Sequence, residues 1–325
     1  MNILEEGMGE LIQPPDMEAF REWNRDHKTR AMVDKLMSEQ EAVQRFVYDG
    51  CYLGTELYGT VRAPMSLTRE VIRQRPKNLR LLGQGVLETE YLLAAGIIEA
   101  ADITYFGLEV YGVSNVARRE IDSGRLKRMV EWSNSALTWR MKAAAMGVPF
   151  LPARTMLGTD TFRYSAAKVV LDPFTNARVC VVPALVMDVV LIHVHRADRF
   201  GNAQIDGISG FACEAARAAK RVILSAEEII DTEQIRQQPD RTLIPYFLVD
   251  AVVHAPFGSY PGEMVYLYGR DEDEIRRWVK MSETVEDTAA YLEETIYGLP
   301  NHQAFLETIG EKRMEELRLM ARRHR

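Results

Sequence analysis

The chain has 325 residues, a hydrophobic content of 47% and a formal net charge of -7. That length and composition support one large buried core or two modest ones and exclude an intrinsically disordered chain. The acidic balance argues against nucleic acid as a partner, because duplex-binding surfaces are usually basic.

Residues 1–14 read as loop and end at Pro14-Pro15. The stretch from Asp16 to Met37 is charged and helical in pattern, and residues 1–37 read as an N-terminal extension on a domain spanning 38–325. Ser38 and Glu41 have the spacing of a capping box, and Ala42, Val43, Phe46 and Val47 give the following helix its apolar stripe. A short strand, Cys51-Tyr52-Leu53, runs into Gly54. Pro64 opens a helix to about Arg73, since proline suits a first turn. Leu79 to Leu82 is a strand that ends at Gly83-Gln84-Gly85, with a helix to Ala95 behind it. Ile103 to Phe106 is a strand ending at Gly107, residues 115–124 are helical, and Ser133 to Met146 is a helix closed by Gly147.

The second half repeats the alternation. Strands are expected at Arg178–Val182, Val189–Val194, Arg221–Ser225 and Ala251–His254, and an alanine-rich helix over 211–220. Glu227 reads as a helix start, and residues 271–325 as charged helices broken at Gly298-Leu-Pro300 and Gly310. Strands that alternate with helices and end in glycine-bearing loops predict an α/β fold: an open, mainly parallel sheet with helices on both faces. Ligands of such sheets bind at the carboxyl ends of the strands. Chemistry is therefore expected after Leu53, Leu82 and Phe106.

Cys51, Cys180 and Cys213 are far apart in sequence, which fits neither a zinc site nor a disulfide framework and suits a reducing cytoplasm. The most apolar stretch, Val179 to Val194, is interrupted by Pro183, Asp188 and His193, so no membrane span is expected. His193 and His195 alternate on a strand and share one face, with no third ligand in a metal-binding spacing. Gly83-Gln84-Gly85 is either a tight strand-to-helix turn or a loop whose N–H groups meet a substrate oxygen. Glu56 and Glu109 follow apolar strands and so lie near the carboxyl edge. Glu131 precedes Trp132-Ser133; it reads as a helix-terminal cap or as a nucleophile or general base.

Two longer runs add specificity. His193-Val-His-Arg-Ala197-Asp198-Arg-Phe-Gly201-Asn202 is followed by Ala226-Glu-Glu-Ile-Ile230 and by Val249-Asp-Ala-Val-Val-His-Ala-Pro256-Phe-Gly258. With Pro149-Phe-Leu-Pro152 ahead of them, this series resembles the A (alpha) subunit of glutaconate-type family I CoA-transferases, from about Ser38 to about Thr295.

The resemblance implies a B (beta) subunit partner, a site between the two subunits, and transfer of coenzyme A between an acyl-CoA thioester and a carboxylic acid, with no permanently bound cofactor. It places the nucleophilic glutamate in the B subunit, leaving this chain to form the pocket. Arg62 resembles the segment after the first glycine loop, and Ser114-Asn115 the substrate-side loop. The family usually has consecutive glycines after its first strand, whereas this chain has Gly54-Thr-Glu56-Leu-Tyr58-Gly59, which narrows the space for an acyl acceptor. A related branch, the two-subunit ring-opening CoA hydrolases of steroid breakdown, has a working glutamate in the corresponding alpha-type subunit, and Glu131 aligns with it. A non-catalytic relative of these subunits is the third expectation.

Overall fold

The computed structural model describes residues 2–55, 59–83 and 87–322. In chain order the first half runs β1 (Ile3–Glu6), α1 (Met17–His27), α2 (Glu39–Phe46), β2 (Tyr52–Thr55), α3 (Met65–Gln74), β3 (Leu79–Gly83), α4 (Leu87–Ala94), β4 (Ile98–Ile103), α5 (Asn115–Asp122), β5 (Arg128–Glu131) and α6 (Asn134–Met146). Next come β6 (Phe150–Ala153), α7 (Asp160–Tyr164), β7 (Lys168–Leu171), β8 (Arg178–Pro183), β9 (Met187–Ala197), β10 (Ala203–Gln204), α8 (Ala212–Arg217) and β11 (Ala219–Ile229). The chain closes with α9 (Thr232–Gln237), β12 (Thr242–Ile244), β13 (Ala251–His254), α10 (Glu272–Met281), α11 (Val285–Leu292), α12 (His302–Ile309) and α13 (Glu311–Arg322).

The parallel strands lie in the order β5-β4-β3-β2-β9-β11-β13, and β10 and β12 form an antiparallel ribbon beside the far end of β9. Alternate residues feed two cores, as the two-residue period of a strand requires. Val190, Ile192 and Leu224 face α6 and α8, whereas Val189, Leu191 and Ile223 face α2, α3, α4 and α10. The parallel α/β architecture expected from the alternation is thus present, with helices on both faces.

Several segments depart from the sequence reading. The strand expected over Ile103–Phe106 ends instead at Ile103 as β4, and Arg128–Glu131, for which no strand is expected, forms β5 beside it. Ile3–Glu6, expected as loop, is a strand paired with β7 in a separate antiparallel sheet, β1-β7-β8-β6. Arg178–Val182 belongs to that second sheet rather than to the main one. The helix expected from Asp16 to Met37 ends at His27. Beyond it the Lys28 amine reaches Asp250 and the Leu248 carbonyl, and Leu36 bridges to Val252, so the segment is drawn out along the edge of β13. Glu227 starts no helix: β11 stays paired with β9 as far as Ile229↔Ala197, and the alanine-rich helix before it stops at Arg217. Ladder bonds and tertiary contacts override local helix propensity at both places.

Candidate functional site

The parallel register brings several predicted residues to one edge. Gly54 lies beside Leu82, Gly83 beside Ile103, and Ile103 beside Glu131. Neighbouring strands are about 4.8 Å apart, so the ends of β3, β4 and β5 fit within about 10 Å. Glu131 is the last residue of β5 and is partly exposed. It does not cap α6, because the Ser133 hydroxyl accepts from the Ala136 N–H at 3.1 Å and does that work. No hydrogen bond or ion pair engages the Glu131 carboxylate among the described residues.

Glu56, Gln84 and Gly85 lie outside the described residues. Gly83 has a packing reason to be glycine: a Cβ there would come within 2.5 Å of the Thr89 hydroxyl, so β3 and α4 meet too closely for any side chain. Glu109 has φ +54 in an exposed turn, and its carboxyl comes within 3.6 Å of where a Gly59 Cβ would stand. The loops after β4 and β2 therefore meet there. Ser114 is buried and caps α5 through the Ala117 N–H at 2.7 Å, with Asn115 as the first helical residue.

Arg62 is fully buried. Its guanidinium donates to the carbonyls of Ile208, His193 and Ser209 at 3.0, 3.0 and 2.9 Å, tying the segment after β2 to β9 and to the 208–209 turn.

Three buried acids escape sequence reasoning. Asp102 on β4 accepts from the Trp132 indole, the Arg140 guanidinium at 2.7 Å and the Tyr52 hydroxyl, and Arg140 lies 4.1 Å from the Trp132 ring. This hub anchors the residue next to Glu131. Glu227 accepts from His193 at 2.8 Å, from the Phe257 N–H at 2.8 Å, from the Gly258 N–H at 3.2 Å and from the Tyr268 hydroxyl. It thereby fixes the loop after β13. Asp102, a lone charge between Ala100-Ala101 and Ile103, signals the need for a partner without saying which; Glu227, followed by Glu228, carries no such signal.

Glu90, in the first turn and a half of α4, is the third. Burial pushes its carboxyl up to about 7, and Ser114, the Trp278 indole and Arg119 offset this only in part. Neither carboxyl oxygen has a well-formed hydrogen bond. The folded chain therefore holds the Glu90 proton more tightly than the unfolded chain, so stability is fullest below the ordinary glutamate range and falls as pH rises towards 7. Glu90→Gln should remove that fall, and at pH 8 it should be more stable than the parent by roughly 3 kcal/mol. Urea unfolding at pH 5 and pH 8 measures this; equal pH dependence in both proteins would contradict it.

The coenzyme A transferase family model matches residues 36–255. The chain belongs to that family. It is 31% identical over 309 residues to the alpha-type (A) subunit of glutaconate CoA-transferase from Acidaminococcus fermentans, covering 89% of this chain and 96% of that protein. The crystal structure of the A. fermentans glutaconate coenzyme A-transferase superposes with a TM-score of 0.83 at 29% identity, over 87% of this chain and 95% of that one. The corresponding A subunit of 3-oxoadipate CoA-transferase from Pseudomonas knackmussii is 31% identical over 85% of this chain and 99% of its own length. The cholesterol ring-cleaving hydrolase IpdA subunit of Rhodococcus jostii is 27% identical over 86% and 98%. This chain is thus an α/β enzyme subunit homologous to the A subunits of heteromeric CoA-transferases.

The motifs that carry the family resemblance are structural in this CoA-transferase chain. Asp198 accepts from the N–H groups of Phe200, Gly201 and Asn202 and from the Asn202 amide, which makes the Ala-Asp-x-x-Gly-Asn turn. Asp250 gathers Lys28, Arg221 and the Val222 N–H. His195 is held between the Val265 carbonyl and the Asp206 N–H, and burial lowers its pKa to about 4. No group of three or more His, Cys, Asp or Glu among the described residues could hold a metal ion. No described helix is long and apolar enough to cross a membrane.

Proposed function

We propose that this chain, together with a B subunit, works as a CoA-transferase that moves coenzyme A from an acyl-CoA to a second carboxylic acid. The observation that carries the reading is similarity to the A subunit of glutaconate CoA-transferase over nearly the whole of that protein's length. In the family's chemistry a partner glutamate attacks the thioester carbonyl, giving an acyl-glutamyl anhydride and a CoA thiolate. The thiolate then attacks the glutamyl carbonyl, forming glutamyl-CoA and releasing the first acid. The second acid repeats both steps in reverse. Each stage develops an oxyanion that needs fixed N–H donors. The role of this chain is to build that pocket with the loops that follow β2, β3 and β4, including Glu56, Gly83, Gln84, Gly85 and the Glu109 and Ser114-Asn115 turn. Arg62 holds the first of these loops in place. Coenzyme A enters as substrate, and the setting is a reducing cytoplasm, in keeping with three free cysteines.

A second reading is favoured by one observation: the unpartnered Glu131 carboxylate at the end of β5. In it, Glu131 serves as base or nucleophile, and water opens a cyclic β-keto acyl-CoA. The two readings separate in one assay. The chain is purified with its B subunit, then given an acyl-CoA together with a labelled free acid. Label appearing in the thioester pool supports the transferase; no exchange, alongside ring opening of a cyclic β-keto acyl-CoA, overturns it.

A further inference from the structure

Away from the carboxyl-end loops, beside Ala219 at the start of β11, lies a cleft of about 460 Å³. One wall is α1 and the other is the last turn of α6, with the Phe247-Leu248 segment between them. Arg21, Lys28, Arg30 and Arg217 line it, and no carboxylate does among the described residues. That local excess of positive charge stands against a net charge of -7 for the chain.

The partners of these cations leave donors unused. Lys28 is satisfied by Asp250 at 2.5 Å and the Leu248 carbonyl. Arg21 has only Glu18 at 3.6 Å, with both side chains mostly in solvent. Arg217 bonds the Cys213 carbonyl and contacts its sulfur, neither of which neutralises it. Arg30 contributes its carbonyl to the Tyr246 hydroxyl, while no carboxylate meets its guanidinium among the described residues. The opposite wall offers acceptors instead. Ala145 and Met146 end α6, and their carbonyls take no protein donor among the described residues. They belong to the last turn of the helix, which Gly147 closes in the left-handed conformation, so no following helical N–H reaches them. The lining also offers apolar surface: Phe247 is 45% exposed and Met146, on the α6 wall, 59%.

A ligand that suits all three features has an anionic end, a flat apolar body and hydrogen-bond donors away from the charge. We propose that this cleft binds a nucleoside diphosphate of the adenine type. Its phosphates meet Arg21, Arg30 and Arg217, its base lies against Phe247 and Met146, and its amino or hydroxyl donors meet the α6 carbonyls. The site also gives α1 a function. Phe20 is the only buried residue of that helix, and Met17, Phe20, Arg21, Asn24 and Lys28 share the face that lines the cleft. So lightly held a helix is tightened when a ligand joins it to the core.

The inference does not depend on the CoA-transferase reading. ADP is titrated into the purified chain by calorimetry, with inorganic phosphate titrated in parallel, and amide exchange is followed in residues 17–28. The expected result is saturable ADP binding, slower exchange in α1, and affinity weakened about tenfold or more by Arg217→Glu and by Arg30→Glu, each with an unchanged melting temperature. Absence of ADP binding overturns the proposal, as does binding that survives both charge reversals. Inorganic phosphate binding as tightly as ADP overturns the nucleotide assignment.

Discussion

Asp102→Ala is expected to lower the unfolding free energy by about 3–5 kcal/mol. The carboxylate is fully buried and neutralises Arg140, whose side chain is only 1% exposed. Removing it leaves a guanidinium, an indole N–H and a phenol without their acceptor in the core. A buried charge stripped of its partner costs far more than the intact pair contributes. The comparison that isolates this cause is the double variant Asp102→Leu with Arg140→Met. It loses the whole pair but strands no charge, so it should be clearly more stable than Asp102→Ala alone. Urea unfolding measures both. If the single and double variants fell equally, the loss would be a matter of packing and not of an orphaned charge. The hub also joins β2, β4, α6 and Trp132, the residue that follows β5. Damage to it should therefore reach the end of β5, where Glu131 sits.

The hub illustrates which parts of the molecule are legible in the sequence. The parallel sheet is legible through β2 and β3, each with its own apolar run and its own glycine, Gly54 and Gly83, and through β9, β11 and β13, whose apolar runs read as strands. The carboxyl edge is also legible, since it follows from that topology alone. The strand-ending position of Gly83 puts it at that edge, and the structure has it there; Glu131, which reads as a helix start, reaches the same edge as the last residue of β5. What stays hidden is long-range. The partnership of Asp102 with Arg140 crosses 38 residues, and that of Glu227 with His193 crosses 34. Neither spacing leaves a local pattern. Glu227 reads as a helix start for the same reason: Ala226-Glu-Glu-Ile has ordinary helix propensity, and only the neighbouring strand keeps it extended. The strap over 28–37 is hidden in the same way, since its partner is an edge strand more than 200 residues away.

Glu131→Gln carries the largest expected effect on activity, and its size depends on which chemistry the site performs. The change is nearly isosteric, and the carboxylate has no hydrogen-bond or ion-pair partner among the described residues to lose. Folding and melting temperature should therefore be unchanged. If the B subunit supplies the nucleophile, CoA exchange by the variant with its partner should stay within about fivefold of the parent, because Glu131 then only borders the pocket. If this chain supplies the base or nucleophile for ring opening, turnover should fall by about 10²–10⁴-fold, the usual weight of a positioned proton-transfer group. Both activities are measured on one preparation, so a misassembled complex is recognised by loss of both. The side chain also has a separate effect. A carboxylate at position 131 and an incoming carboxylate are like charges, so in the transferase case the glutamine variant should show a lower KM for the acid at an unchanged kcat. A raised KM would place Glu131 among the groups that hold the acid through a shared proton, at a distance from the thioester chemistry.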